Sequence, residues 1–142
     1  MLITQEVENA ARVIYELASR WPSDEPVAGA AIRERQKIPE KDFKRVTALL
    51  EKKRIIRKTG GRLAGYSLYV APRLLSMEFL ILQLGGGVCH SGGSHQGASG
   101  KSCLSHVFAR INHSISRYLG SITFEDLVDG SDSRLDVYDY QI

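Results

Sequence analysis

Between Gly85 and His106 the chain reads GGGVCHSGGSHQGASGKSCLSH. Both of its cysteines, Cys89 and Cys103, lie here with three of its four histidines, His90, His95 and His106. Thiolates and imidazoles are soft, metal-binding groups, and a pair of thiols can also be oxidised. Glycine and serine fill most of the remaining positions, so no hydrophobic periodicity runs through the stretch. It is far longer than the half-dozen residues or so of an ordinary connection, and long loops that concentrate such side chains tend to be functional. A plain Gly/Ser linker is the bland alternative. Gly100-Lys101-Ser102 resembles the end of a phosphate-binding loop. That motif also needs a glycine five positions earlier, where His95 stands, and a buried strand directly before it. Nucleotide hydrolysis therefore has no support, and no enzymatic activity is expected.

The elements that would position this loop follow from the pattern on either side. The chain has 142 residues, 43% hydrophobic and 25% charged, as a globular protein has. No apolar run reaches the roughly 18 residues that would span a membrane. The opening MLITQEVENAARV carries acids where a signal peptide is basic, which leads to the expectation of a cytoplasmic protein. In that compartment two cysteines act as ligands or redox sensors more often than as a structural disulfide. Charge is divided unevenly. Residues 1–73 hold 15 Lys and Arg against 9 Asp and Glu, whereas residues 74–142 hold 4 against 7. A basic N-terminal half points to a polyanionic partner at that end.

Thr4 can cap a first helix whose apolar stripe is Val7, Ala10, Ala11, Ile14, Leu17 and Ala18, ended by Trp21-Pro22. Val27 to Gln36 reads as a short helix with Ala31 and Ile32 inward. Pro39 suits the first position of a third helix running to about Lys53. In that helix Phe43, Val46, Leu49 and Leu50 form the buried face, while Lys41, Lys44, Arg45 and Thr47 lie away from it. Two helices joined by a tight connection, the second presenting basic and hydroxyl groups, fit a helix-turn-helix. Ile55 to Lys58 and Gly65 to Val70 then form two strands around a glycine-containing turn, a wing bearing Arg57, Lys58 and Arg62 for phosphate or minor-groove contact. Ser76 begins a helix to Leu84. From Cys103 a helical stripe resumes with Leu104, Val107, Phe108, Ile111, Ile115, Tyr118 and Leu119. A two-fold mate is the natural cover for that face, with packing on its own domain as the alternative. Ile122 to Leu127 makes a last helical turn.

Several of these segments, in order, resemble the IscR/NsrR/RirA/CymR family of bacterial winged-helix regulators, the Rrf-type proteins. They are the opening MLIT, Ile32-Arg33-Glu34-Arg35-Gln36, the strand Ala64-Gly65-Tyr66-Ser67-Leu68, Cys103-Leu104-Ser105-His106, and Ser121-Ile122-Thr123-Phe124-Glu125-Asp126-Leu127. The resemblance covers residues 1 to about 128. It implies a mainly α fold with a small β-hairpin: a winged helix-turn-helix over 1–75, then a sensor loop (85–102) and dimerisation helix (103–120) within 76–128. Beyond it, the acidic composition of residues 129–142 leads to the expectation of a flexible tail. The resemblance implies a homodimer that binds roughly palindromic double-stranded DNA, with Phe108, Ile111 and Ile115 at the dimer interface.

In many such proteins the loop holds an iron–sulfur cluster through three cysteines. This chain lacks the middle one, and Gly60 stands where the wing has an arginine. Cys89, Cys103 and His106 match ligand positions. Two thiolates and two harder ligands suit a 2Fe–2S centre better than a 4Fe–4S one. Glu8, on the first helix of the partner subunit, matches an acid used by some members, and His90 or His95 is the alternative fourth ligand. A cluster-free regulator switched by oxidation of Cys89 and Cys103, and a winged helix that binds protein rather than DNA, are the other readings.

Overall fold

The computed structural model describes residues 3–85 and 103–130. Cys89, His90, His95 and the expected tail from Ser131 onward lie outside them. The elements in order are α1 (Gln5–Ala18), α2 (Gly29–Gln36), α3 (Glu40–Lys52), β1 (Ile56–Thr59), β2 (Gly65–Leu68), a 3-10 turn (Pro72–Leu74), α4 (Met77–Gln83), α5 (Cys103–Gly120) and α6 (Phe124–Asp129). The expected mainly helical winged helix-turn-helix with one antiparallel hairpin is what forms.

Helix α1 is the wall against which the rest is built. Its Thr4 hydroxyl accepts from the Val7 N–H at 3.2 Å, satisfying one of the free donors of the first turn. Its buried face is Val7, Ala10, Val13, Ile14, Leu17 and Ala18. Val13 takes the place the sequence reading gave Ala11, which only borders the core. Helices α2, α3, α4 and α6 and strand β2 all pack on α1. One continuous apolar core runs from Val7 and Ile14 through Ile32, Val46 and Leu50 to Leu80, Ile81, Leu119 and Phe124. Burying a side chain of this size stabilises by about 1.5–3 kcal/mol.

Three local differences from the sequence reading have simple causes. Helix α2 begins at Gly29 instead of Val27, because Val27 is used in backbone pairing: its N–H donates to the Tyr66 carbonyl and its carbonyl accepts from the Tyr66 N–H, both at 2.8 Å. Pro39 is the N-cap of α3 rather than its first residue. Hairpin pairing runs Ile56 to Leu68 through Thr59 to Gly65, one residue later on the first strand and two shorter on the second.

The C-terminal elements are pinned by a second short pairing. The Met77 N–H donates to the Ile122 carbonyl and the Phe124 N–H to the Leu75 carbonyl, each at 2.9 Å. A capping box between Thr123 and Asp126 starts α6.

Gly65 sits against the Val27 backbone so closely that a Cβ there would lie 2.5 Å from the Val27 oxygen and 2.7 Å from its carbonyl carbon. Neither backbone can retreat without breaking the Val27–Tyr66 pair. Gly65→Ala is therefore expected to destabilise the protein by about 1–3 kcal/mol, seen as a lower midpoint in urea unfolding. An unchanged midpoint would mean that β2 does not approach Val27 this closely.

Candidate nucleic-acid interface

The exposed side of α3 and the hairpin enclose an open cleft of about 660 Å³ lined by Lys44, Thr47, Ala48, Glu51, Lys52, Lys58 and Tyr66. A second cavity of about 320 Å³ adjoins it, reaching Gly29, Arg33, Glu40 and Gly65 and sharing Lys44, Lys58 and Tyr66. Tyr66 is the common wall. Its ring meets Phe43 edge-on at 5.8 Å, and the Lys58 ammonium lies 6.0 Å from its centroid. An edge-to-face pair of this kind adds stabilisation beyond burial and fixes the angle between helix and hairpin. A cation at that distance is held weakly over the ring and remains free to meet a phosphate.

Of the residues the sequence singled out for DNA, Lys41, Lys44 and Arg45 are exposed on α3, and Lys58 and Arg62 are exposed on the hairpin and its tip. Two others sit differently. Thr47 is 3% exposed, and its hydroxyl donates to the Phe43 carbonyl at 2.8 Å and the Lys44 carbonyl at 3.2 Å. It lies four residues after Phe43 and three before Leu50, on the buried stripe, so its hydroxyl bonds back to its own helix. Leu49, assigned to that stripe, is only half-buried. Arg57 alternates with Lys58 along β1 and so faces the other side of the hairpin. There its Nε donates to the Ser67 hydroxyl at 3.0 Å and its guanidinium meets Asp24 at 3.4 Å. Its charge is largely spent on anchoring the wing to the α1–α2 connection. Ser67 is buried, breaking the simple alternation of Tyr66, Leu68 and Val70.

The sequence reading passed over Tyr66 as a contact residue, and also Arg33, Glu40, Glu51 and Lys52. The register that sets Tyr66 opposite Lys58 was legible in principle, as was the four-residue spacing of Glu40 and Lys44. The end of α2 is held by a polar network. Arg12 ion-pairs with Glu8 and donates to the Gln36 carbonyl at 3.2 Å. The Gln36 amide donates to Glu16 at 2.7 Å, and Arg35 lies 3.5 Å from the same carboxylate. Glu8, the expected cross-subunit ligand, is thus engaged by Arg12 within its own helix.

Helix α5 begins at Cys103, and His106 follows one turn later. Both are exposed, one thiol and one imidazole on neighbouring sides of the same helix end. Among the described residues no group of three or more metal-binding side chains comes together. Leu104, Val107, Phe108 and Ile111 are exposed by 45–63%. Ile115 and Leu119 instead pack on the chain's own core, while Tyr118 between them on the stripe is exposed. Among the described residues no helix is long and apolar enough to cross a membrane.

A basic cleft between a recognition helix and a wing defines a winged helix-turn-helix DNA-binding protein. The chain belongs to the Rrf2 family, described as iron-dependent transcriptional regulators, which it matches over residues 3–130. The family is one of regulators, not enzymes. An Rrf2-like HTH-type transcriptional regulator of Rhodobacter capsulatus is 28% identical over 138 residues, spanning 89% of this chain and 92% of that protein. Among solved structures, CymR, the global cysteine regulator of B. subtilis, aligns with a TM-score of 0.80 at 19% identity, covering 93% of this chain and 99% of that one. IscR of T. potens aligns with a TM-score of 0.76 at 22% identity, covering 94% and 90%. These likenesses establish the fold.

Proposed function

We propose that this transcriptional regulator acts as a homodimer that reads a two-fold related DNA site and senses redox or iron–sulfur status through the loop that precedes α5. The observation that carries the DNA reading is the joining of Lys44, Lys52 and Lys58 around one open cleft between α3 and the wing. Lys41, Lys44 and Arg45 enter the major groove with α3, and Arg62 at the wing tip meets phosphate or the adjacent minor groove. Arg57 contributes by fixing the wing rather than by touching DNA. The uncovered Leu104, Val107, Phe108 and Ile111 on α5 supply the contact to the second subunit, with Ile115 at its margin.

For the sensor, Cys103, His106 and Cys89 would be the residues that hold a 2Fe–2S cluster. When bound, such a centre brings one-electron redox chemistry. The family's description as iron-dependent favours this over an oxidation switch of Cys89 and Cys103 alone. Glu8 of the partner subunit is the cross-subunit candidate, and its Oε1 pairs with Arg12, whose guanidinium also holds the Gln36 carbonyl at the end of α2. Coordination of Glu8 and the geometry of the helix-turn-helix are thereby linked through one arginine.

Three outcomes are expected. Fluorescence anisotropy with duplex DNA should show affinity falling steeply with salt, and Lys44→Ala should weaken binding by about 1–3 kcal/mol. Salt-insensitive or absent binding would favour a protein-interaction role. Ile111→Glu should convert a dimer to a monomer in light scattering, because an unpaired charge is costly to bury; a dimer that persists would move the interface off α5. Anaerobically prepared protein should be coloured and contain iron and sulfide. Cys89→Ala and Cys103→Ala should lose the colour, and His106→Ala should weaken cluster binding or shift its potential downward. Colourless wild-type protein after reconstitution would leave only the thiol switch.

A further inference from the structure

The first residue of the recognition helix is an acid on a surface otherwise built for phosphate. Glu40 is the start of α3, 65% exposed at its side chain, and it lines the same cavity as Lys44, Lys58 and Tyr66. Its carboxylate lies 3.3 Å from the Lys44 ammonium and 3.7 Å from the Arg33 guanidinium. A carboxylate facing a phosphate backbone repels it, so this position lowers affinity for DNA in general. Part of its presence is explained by the helix dipole: Pro39 offers no side-chain cap, and Glu40 and Asp42 place negative charge in the first turn. That account calls for an acid somewhere in the turn, and Asp42 already meets it. It does not require one between two cations on the face turned to DNA.

Glu40 and Lys44 are one helical turn apart and present a hydrogen-bond acceptor beside a donor. A C·G base pair offers the complementary arrangement in the major groove, the cytosine N4 amino donor beside the guanine O6 and N7 acceptors. The N-terminal residues of a recognition helix are those that meet base edges. We infer that Glu40 is a specificity-determining residue, accepting a hydrogen bond from cytosine N4 while Lys44 turns to the guanine of the same pair. In the free protein the ion pair holds both side chains in the geometry they need. On DNA each exchanges its charged partner for a base group of the same hydrogen-bonding role, a donor for Glu40 and an acceptor for Lys44, and Arg33, freed from Glu40, is left to a phosphate. Guanine or thymine at that position leaves the carboxylate facing acceptors with no donor, and adenine sets its N7 acceptor beside the one donor it offers. Glu40 thus rejects wrong sequences as well as favouring the right one.

This inference rests on the DNA-binding reading, and selection from a randomised duplex pool separates the two. Wild-type protein should enrich a two-fold related sequence with cytosine at one position of each half-site. Replacing that cytosine should weaken binding on the order of 10- to 100-fold. Glu40→Ala should lose the preference at that position alone and bind scrambled duplex more tightly than wild type does. Glu40→Gln, which both donates and accepts, should move the preference from cytosine to adenine. Thermal melts of both variants report any loss of helix stability separately. Variants that melt lower but enrich cytosine at every wild-type position would reduce Glu40 to a helix-end charge and overturn the inference. Wild-type protein that enriches no sequence would overturn the DNA reading, and this inference with it.

Discussion

Two hydrogen bonds between Val27 and Tyr66 hold helix α3 and the wing in one arrangement. They join the chain between α1 and α2 to the returning strand of the wing, and they use both backbone polar groups of each residue. With Tyr66 fixed in the main chain, its ring is set edge-on against Phe43 of the recognition helix and beneath the Lys58 ammonium. The hairpin has only two strands, and a two-stranded ribbon is marginal on its own. Val27 gives it a third partner over one residue pair, and the link between Arg57 and Asp24 reinforces the same joint from the opposite face. Remove the close approach that Gly65 allows, and helix and wing lose their common reference.

Electrostatics on this surface divides into charges that are committed and charges that are available. Arg57 is spent on Ser67 and Asp24, and Arg12 and Arg35 on the network at the end of α2. Lys52, Lys58 and Arg62 stand on the open side, while Lys44 and Arg33 are held in reserve by Glu40. Exposed pairs like these contribute little to stability, typically under about 1 kcal/mol. Their worth lies in orientation. Each cation is kept near the place where it is needed without being consumed by folding.

Much of this was legible in the sequence. Phe43, Val46 and Leu50 recur at helical spacing, Thr4 and Ser76 mark helix starts as caps, and glycines bound the hairpin, so the winged helix could be read directly. Thr47 and Arg57 could not be placed correctly by residue type. A threonine is polar in composition yet falls on the buried stripe, and an arginine on a wing looks like a phosphate contact until strand register turns it away. Val27 was misread as helical because its pairing partner lies 39 positions further along the chain. The apolar stripe on α5 ran true in periodicity, but periodicity cannot say that Ile115 and Leu119 belong to the chain's own core while Phe108 and Ile111 do not.

The central place of α1 has a consequence for how the molecule is made. It is synthesised before every other described element it contacts: α2 with Ile32, α3 with Val46 and Leu50, the wing with Leu68, α4 with Leu80 and α6 with Phe124. Domains settle as their partners emerge, and long-range contacts close last. The earlier helices can cover the part of its stripe that faces the recognition helix. The remainder waits for α6, which follows the loop and all of α5. A helix made before all its partners is therefore among the last to be fully covered.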